Sequence, residues 1–323
     1  MEPVEPFLEA VASQLLDQVT AFDPEIAPYA QYALASQGKQ LRPALVGLSG
    51  MCVGELNHNS ATVAVIIEMV HLATLVHDDI MDEAEMRRCR PTLAANWGSE
   101  ISVLLGDCLF AHALKMSASF PTPEICRSVA SATNTVCSGE ILQNHRCLNF
   151  DMPRADYFKV IGMKTAELFA LSCDLGSWLS GAAPAERAAL RQYGQALGTA
   201  YQIYDDCVDV FGTERVAGKS LGTDLANGKL TLPVLVALER GDTNERARLR
   251  DLISSWKPAN LLPVVAILER CDALGESRRI IQQYLNTARH ALSVLPESEG
   301  RQALAALAGF LARQTETMGA SAS

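Results

Sequence analysis

The sequence has no close cysteine pairs and few aromatic residues. Its nine cysteines include no C-x-x-C pair, and phenylalanine, tryptophan and tyrosine together make up 6% of the chain. The odd number and scattered spacing of the cysteines argue against a disulfide framework and predict reduced thiols. A zinc site is disfavoured as well, because its ligands normally recur at short fixed spacings.

Positive charge is also scarce. The chain has 27 lysine and arginine residues against 37 aspartate and glutamate residues, a formal net charge of −10. A chain this acidic is a poor general binder of nucleic acid or of anionic membrane surfaces. An anionic substrate would therefore need a local group of cations or bound metal ions.

No leader sequence or membrane-spanning run is apparent. The first five residues carry two glutamates and no basic residue, and they lack the basic-then-apolar order of a signal peptide. The longest apolar run, residues 61–76, is interrupted by Glu68 and His71, and it is too short and too polar to cross a bilayer. We expect a soluble, cytoplasmic protein without an integral membrane segment, in which this run forms a buried core helix.

Helical periodicity recurs along almost the whole chain, and no alternating strand pattern persists. The breaks are short, and none resembles an interdomain linker. We expect one all-α domain over residues 1–323 with a frayed tail from about residue 316. The predicted helices cover residues 7–19, 41–52, 60–82 with Ser60 as N-cap, 99–119, 123–144, 155–180, 185–211, 230–240, 243–255, 261–271, 275–294 and 298–314.

An acidic cluster, Asp78-Asp79-x-x-Asp82, ends one of these apolar helices. Asp78 and Asp82 are four residues apart, so their carboxylates lie on one helix face about 6 Å apart along the axis. Carboxylate oxygens with room for water suit Mg²⁺, which proteins usually hold with one or two carboxylates and substrate phosphates. On its own, a solvated acidic helix end explains this motif equally well.

The same spacing occurs again at Asp205-Asp206-x-x-Asp209, after a second apolar helix. Acidic side chains at a helix C-terminus oppose the helix dipole, so each cluster is unfavourable without a cation. Two such clusters suggest two facing clamps on a single polyphosphate. Basic residues that can bind phosphate follow each cluster, namely Arg87, Arg88 and Arg90 after the first and Lys219 and Lys229 after the second.

With further motifs in a fixed order, the chain resembles the trans-type polyprenyl (isoprenyl) diphosphate synthases from about residue 38 to residue 233. The resemblance implies a single-domain isoprenoid-synthase-type helical bundle around a central cavity, and a prenyltransferase. The chain departs from the family pattern at Cys89, where glycine is usual, and at Tyr201, where phenylalanine is commoner. The remaining motifs are Gly38-Lys39-Gln40-Leu41-Arg42-Pro43, Arg87-Arg88-x-x-Pro91-Thr92, Gly106-Asp107, Lys164-Thr165-Ala166, Gln202 and Gly228-Lys229-Leu230-Thr231.

The resemblance also implies the reaction and the residues that carry it. An allylic diphosphate ionises, the double bond of isopentenyl diphosphate attacks in a head-to-tail (1'-4) condensation, and a proton is lost to diphosphate. The implied cofactor is Mg²⁺, roughly three ions per site, in a homodimer. Isopentenyl diphosphate would bind Lys39, Arg42, His71 and Arg88. The allylic diphosphate would bind Arg87, Lys164, Thr165, Gln202, Lys219 and Lys229. The metal ligands would be Asp78, Asp82 and Asp205, supported by Asp79, Asp206 and Asp209.

Small side chains before the first acidic cluster bear on product length. The resemblance places the growing chain beside this helix, where Val70, Ala73 and Thr74 leave room past the fifteen-carbon level. The opposite wall would come from residues after Gly106-Asp107, with small Ala111, Ala113 and Ser117 and a floor at Met116 or Phe120. We therefore expect a product of C20 or longer. The alternatives are a short-chain farnesyl or geranyl diphosphate synthase, a class I terpene cyclase and a non-catalytic partner subunit.

Overall fold

A computed structural model of the chain describes residues 2–35, 38–87, 90–213 and 220–319. The all-α fold class is confirmed, since sixteen α-helices account for most of these residues. The helices are α1 Glu5–Asp17, α2 Ala27–Leu34, α3 Leu41–Met51, α4 His58–Met81, α5 Leu93–Trp97, α6 Ser99–Ala118, α7 Pro123–His145, α8 Arg154–Ile161, α9 Glu167–Leu179, α10 Pro184–Phe211, α11 Thr223–Ala226, α12 Leu232–Arg240, α13 Thr243–Ser254, α14 Leu261–Arg270, α15 Ala273–Ala291 and α16 Glu299–Thr317.

The rest of the regular structure is short. Single 3₁₀ turns cover Glu2–Val4, Gln18–Ala21, Pro258–Asn260 and Leu292–Val294, and a π-helical turn covers Gly162–Ala166. Two strands, β1 Met86–Arg87 and β2 Arg90–Pro91, form a small antiparallel hairpin in which Arg87 is opposite Arg90.

The chain folds into two compact units. The first comprises residues 1–135, 167–195 and 289–307, and the second comprises residues 136–166, 196–288 and 308–323. The expectation of one domain over residues 1–323 stays a prediction. Helix α16 continues to Thr317, and residues 320–323 of the expected frayed tail lie outside the described residues.

Helix α4 is the core of the first unit. Its apolar side chains from Val63 to Met69 are fully buried, and it packs against α1, α3, α6 and α9. By length and composition α4 and α6 could each cross a membrane, but most of α4 is buried inside the protein, as expected for a core helix. The prediction of a buried helix over residues 61–76 is therefore confirmed.

Two details of the helix predictions were wrong. Ser60 is not the N-cap of α4. Asn57 is the N-cap, and Ser60 at the third helical position completes a capping box with it. The helix expected over residues 155–180 is interrupted by the π-helical turn, because one extra residue is accommodated between α8 and α9.

A buried ion cluster holds three helices of the second unit together. The carboxylate of Glu276 on α15 lies 3.0 Å from Arg154 of α8, 2.8 Å from Arg240 of α12 and 2.7 Å from Arg279 of its own helix. These guanidinium groups, Arg279 foremost, lower the pKa of Glu276 to about 2. The charge of this buried acid is therefore compensated within the fold.

Candidate active site

The first acidic cluster lies at the C-terminal end of α4, and its three aspartates differ in environment. Asp79 is buried, and its Oδ1 accepts a hydrogen bond of 2.6 Å from Nε of Arg87. Asp78 and Asp82 are half-buried. The helical spacing places these two acids on one flank, with the neutralised Asp79 turned inward.

The β-hairpin after α4 places Arg87. Thr92 anchors the hairpin by donating its hydroxyl to the carbonyl of Ala84 at 2.7 Å and accepting from the amide of Ala95 as the N-cap of α5. The ring of Tyr32 lies under the guanidinium of Arg90 at 4.4 Å. Side chains from α2 and α5 therefore fix the backbone that carries Arg87.

The basic residues predicted to bind isopentenyl diphosphate lie around the start of α3. Lys39 is exposed, and the following Gln40 adopts a left-handed backbone with φ of 48°. The guanidinium carbon of Arg42 lies 5.2 Å from the ring centre of the buried Phe169, a cation–π contact. His71 on α4 is half-buried, and Arg88 lies outside the described residues.

The structure gives a physical reason for the Gly106-Asp107 motif. A Cβ atom at Gly106 would collide with the ring of His77, the residue directly before the first acidic cluster. The His77 Nε2 atom lies 3.1 Å from the carbonyl of Val103 and 3.6 Å from Asp107. Glycine is required at position 106 because the imidazole ring occupies the space of a side chain.

The side chains predicted to set product length are small and mostly buried. Val70 and Ala73 of α4 are buried, and the hydroxyl of the half-buried Thr74 donates to the carbonyl of His71 at 2.7 Å. On α6, Ala113 and Ser117 are buried, whereas Ala111 is exposed. The parts that Ala111, Ala113 and Ser117 take in the wall of the tunnel stay a prediction. The two floor candidates, Met116 and Phe120, are half-buried.

The second acidic cluster lies near the C-terminal end of α10, where its central acid is bound on both sides. Asp206 is buried, and its two oxygens accept hydrogen bonds from the hydroxyl of Tyr157 at 2.6 Å and the amide nitrogen of Gln202 at 2.7 Å. Burial raises the pKa of Asp206 well above its ordinary value, and nearby Asp224 raises it further. Asp205, by contrast, is exposed.

The last acid of the second cluster organises the chain that follows. Asp209 is buried, and its carboxylate accepts from the hydroxyl of Thr223 at 2.7 Å and from the backbone amides of Thr223 and Asp224. These bonds hold the start of α11. Lys229 is buried a few residues later, with its amide donating to the carbonyl of Asp224. Lys219 lies outside the described residues.

The π-helical turn presents Lys164 and Thr165. The Lys164 ammonium lies 2.5 Å from Glu140 and 2.9 Å from the amide oxygen of Gln143, both on α7. Thr165 donates its hydroxyl to the amide oxygen of Gln202 at 2.7 Å. Sequence reasoning missed Tyr157, Glu140 and Gln143, because each acts only through a contact between distant elements.

The thiol within the second cluster is inert. Cys207 is fully buried, and burial raises the pKa of its thiol to about 12, so no thiolate forms at neutral pH. Eight cysteines in the described part of the chain are free thiols.

The donor set fits a hard divalent cation. Asp78, Asp82 and Asp205 offer carboxylate oxygens and reach solvent, and such ligands suit Mg²⁺ or Ca²⁺. Among the residues that the structure describes, no three acidic, histidine or cysteine side chains are already gathered as a closed metal site.

Comparisons with known proteins identify the family. The polyprenyl synthetase family model matches residues 23–268. The chain is 34% identical over 305 residues to an octaprenyl diphosphate synthase of Haemophilus influenzae, covering 94% of this chain and 93% of that protein. It is 35% identical over 308 residues to heptaprenyl diphosphate synthase component 2 of Bacillus subtilis, covering 95% and 88%.

A solved structure agrees with the sequence comparisons. A polyprenyl synthase from Caulobacter crescentus CB15, crystallised with calcium and isoprenyl diphosphate, matches with a TM-score of 0.90 and 32% identity over 97% of this chain and 96% of that chain. The fold is therefore that of the polyprenyl synthases, whose activity depends on divalent metal ions. The chain belongs to the polyprenyl synthetase family and is a prenyltransferase.

Proposed function

We propose that this enzyme extends an allylic prenyl diphosphate with isopentenyl diphosphate and releases an all-trans polyprenyl diphosphate of C20 or longer. The observation that carries the proposal is that both acidic clusters are complete, each with an accessible first aspartate beside a buried second one. A non-catalytic partner subunit would not need to keep either arrangement. The long-chain products named for the relatives support the product class.

The acidic clusters would hold Mg²⁺ at the allylic diphosphate. Asp78, Asp82 and Asp205 are the proposed ligands, because they reach solvent. Asp79, Asp206 and Asp209 support them from buried positions where each carboxylate is already bound to neighbouring groups. Bound Mg²⁺ would neutralise the charge that develops on the departing diphosphate.

The basic residues would share the two substrates. Arg87, Lys164, Thr165, Gln202, Lys219 and Lys229 are proposed for the allylic diphosphate, and Lys39, Arg42, His71 and Arg88 for isopentenyl diphosphate. The ring of Phe169 holds the planar guanidinium of Arg42, which limits the directions in which its N–H groups can meet phosphate.

No side-chain nucleophile is required for the reaction. The allylic C–O bond breaks with both electrons leaving on the diphosphate, and the isopentenyl double bond forms the new C–C bond to the resulting cation. A proton then leaves the product cation and is taken by the diphosphate. The amide of Gln202 and the hydroxyl of Thr165 direct dipoles at the positive centre, while apolar walls keep out water that would quench it.

Product length would depend on the flank of α4. The hydroxyl of Thr74 is satisfied by the carbonyl of His71, so its methyl group is what it offers to a prenyl chain. Replacing Thr74 with Phe should shorten the product by one or more prenyl units with little change in turnover. Sizing the extracted alcohols measures this effect, and an unchanged length would place the limiting side chain elsewhere.

We further propose a cytoplasmic homodimer. Helix α6 has exposed apolar side chains, Val103 at 43% and Leu104 at 61% relative exposure, on the face opposite its buried one. A second copy of the chain would cover such a face. Light scattering on the purified protein should give twice the chain mass, and a monomer active only with an added subunit would refute the homodimer.

One assay separates the candidate functions. The purified protein is incubated with Mg²⁺, labelled isopentenyl diphosphate and either farnesyl diphosphate or a shorter allylic primer, and the products are extracted. Labelled chains of C20 or longer are expected. Labelled farnesyl product alone from a shorter primer would indicate a short-chain synthase, unlabelled cyclic hydrocarbon a terpene cyclase, and no product a partner subunit.

A further inference from the structure

Four polar side chains form a continuous hydrogen-bonded chain in the second unit. The hydroxyl of Tyr157 donates to Asp206 at 2.6 Å, the amide nitrogen of Gln202 donates to the other oxygen of Asp206 at 2.7 Å, and the hydroxyl of Thr165 donates to the amide oxygen of Gln202 at 2.7 Å. The chain links α8, α10 and the π-helical turn. It begins at a residue that has no part in the acidic or basic motifs.

The order of donors and acceptors in this chain fixes the orientation of Gln202. Both oxygens of Asp206 accept hydrogen bonds in this chain, so both groups that meet them are donors. Tyrosine supplies an O–H, and Gln202 must turn its NH₂ group toward the acid. The amide oxygen of Gln202 then faces Thr165. The same order of donors and acceptors fixes the direction of the second N–H of Gln202 and of the lone pairs on the Thr165 hydroxyl.

Tyr157 is held firmly enough to impose this order. Its side chain is 4% exposed and its ring packs edge-on against Phe158 at 5.3 Å. A hydroxyl buried at this depth needs a partner, and a buried acceptor left without its donor is destabilised. Without the tyrosine O–H, Asp206 would keep one donor and could rotate about it.

The protein contains a second buried tyrosine, which serves as a matched comparison for Tyr157. Tyr193 lies on α10, is fully buried, and donates its hydroxyl to the carbonyl of Leu304 at 2.8 Å. This bond lies in the first unit and touches no acidic cluster. Removing either hydroxyl should therefore cost similar stability, but only one of the two belongs to the hydrogen-bonded chain.

We propose that Tyr157 is a positioning residue for prenyl transfer, which acts through Asp206 to fix the amide of Gln202 and the hydroxyl of Thr165 toward the allylic substrate. This inference rests on the proposed function, because Gln202 and Thr165 are assigned to that substrate there. It predicts that the tyrosine hydroxyl affects the chemical step and leaves binding of isopentenyl diphosphate and Mg²⁺ unaffected.

The test compares Tyr157→Phe with Tyr193→Phe in steady-state assays and in urea unfolding. We expect Tyr157→Phe to lower kcat by about 10-fold to 100-fold, as small misplacements of reacting groups do. Its KM for isopentenyl diphosphate and its magnesium requirement should stay within about twofold of wild type. Tyr193→Phe should lose comparable stability and keep kcat within about twofold. Equal kcat for the two variants would overturn the inference while leaving the proposed function intact.

A second variant covers the case in which Tyr157→Phe does not fold. Asp206→Asn keeps the side-chain volume but places an NH₂ group against either Tyr157 or Gln202, so it should force the glutamine amide to turn and lower kcat to a similar extent. Wild-type kcat in Asp206→Asn would contradict a positioning role through Asp206.

The double variant and the wild-type control complete the test. Tyr157→Phe with Asp206→Asn should be no slower than the slower single variant, because both act through one chain. Losses that multiply would contradict this. If wild type and Tyr193→Phe both fail to form a prenylated product, the proposed function itself fails and the inference fails with it.

Discussion

The two acidic clusters have the same spacing, but their central acids, Asp79 and Asp206, have different partners. At the end of α4, Asp79 meets a cation, because Nε of Arg87 lies 2.6 Å away. Near the end of α10, Asp206 accepts from two neutral donors, Tyr157 and Gln202, and its pKa is raised by burial. Equal sequence motifs therefore lie in unequal surroundings. The central acid of the first cluster is paired with a basic neighbour, and that of the second lies in a buried polar chain.

The largest expected effect removes the accessible acid of each cluster in turn. Asp78→Ala and Asp205→Ala should each lower kcat by about 10³-fold or more, because a preorganised group that binds developing charge is lost. Helix content by circular dichroism should stay unchanged. Asp151→Ala, at an exposed surface ion pair with Arg250, serves as the control. If only one of the two substitutions lowers kcat, the two clusters do not both contribute to turnover.

The second prediction concerns the ion pair of the first cluster. Arg87→Gln should lower the free energy of unfolding by about 2 kcal/mol, because Asp79 stays buried without its cation, although the partly exposed arginine softens the loss. Adding Asp79→Asn should recover part of this stability. Urea unfolding of the two single variants and the double variant measures the coupling. Additive losses would mean that the pair contributes nothing.

The third prediction concerns the pH dependence that Asp206 should give to the second cluster. The pKa of Asp206 is raised in the folded protein, so above its ordinary value of 3.8 the folded state keeps a proton that the unfolded chain releases. Stability should therefore fall as pH rises from about 4, by up to about 1.4 kcal/mol per pH unit for one proton.

Asp206→Asn provides the comparison for this pH effect. In metal-free protein, the variant should gain stability relative to wild type as pH rises, and urea unfolding at several pH values measures the difference. A constant difference between the two proteins from pH 4 to pH 8 would show that Asp206 is not buried as described.

The smallest expected effect belongs to the last acid of the second cluster. Thr223→Val removes the hydroxyl that donates to Asp209 but leaves the two backbone donors in place. We expect a loss of about 1 kcal/mol in unfolding free energy. Thr223→Ser should restore it, since serine keeps the donor. If Thr223→Val lost more unfolding free energy than Arg87→Gln, the second cluster would depend more strongly on its neighbours than the first, contrary to this prediction.

Sequence periodicity predicted most helices of this fold, because a buried helix must repeat its apolar face every three to four residues. It missed α2, α5 and α11. α5 and α11 are short, and α11 is held by Asp209 rather than by an apolar face. The π-helical turn was missed for another reason. It changes no residue type and is visible only as one residue too many between two helical faces.

The site shows a similar division. Spacing alone identified both acidic clusters, and it could not tell Asp205 from Asp206, which are adjacent and chemically identical. What separates them is α8, which brings Tyr157 onto one of the two across 49 residues of sequence. A long-range contact of this kind leaves no trace in local pattern. The supporting roles of the buried acids stay a prediction.

The π-helical turn also sets the phase between α8 and the residues that follow it. Tyr157 and Thr165 are eight residues apart, which in a regular α-helix would leave them about 80° out of line. Both nevertheless meet side chains four residues apart on α10, Asp206 and Gln202. The wider turn absorbs the surplus residue and brings the two back into line. Deletion of Met163 would leave the two residues seven apart and only about 20° out of line in a regular α-helix, so both contacts could form without the wider turn.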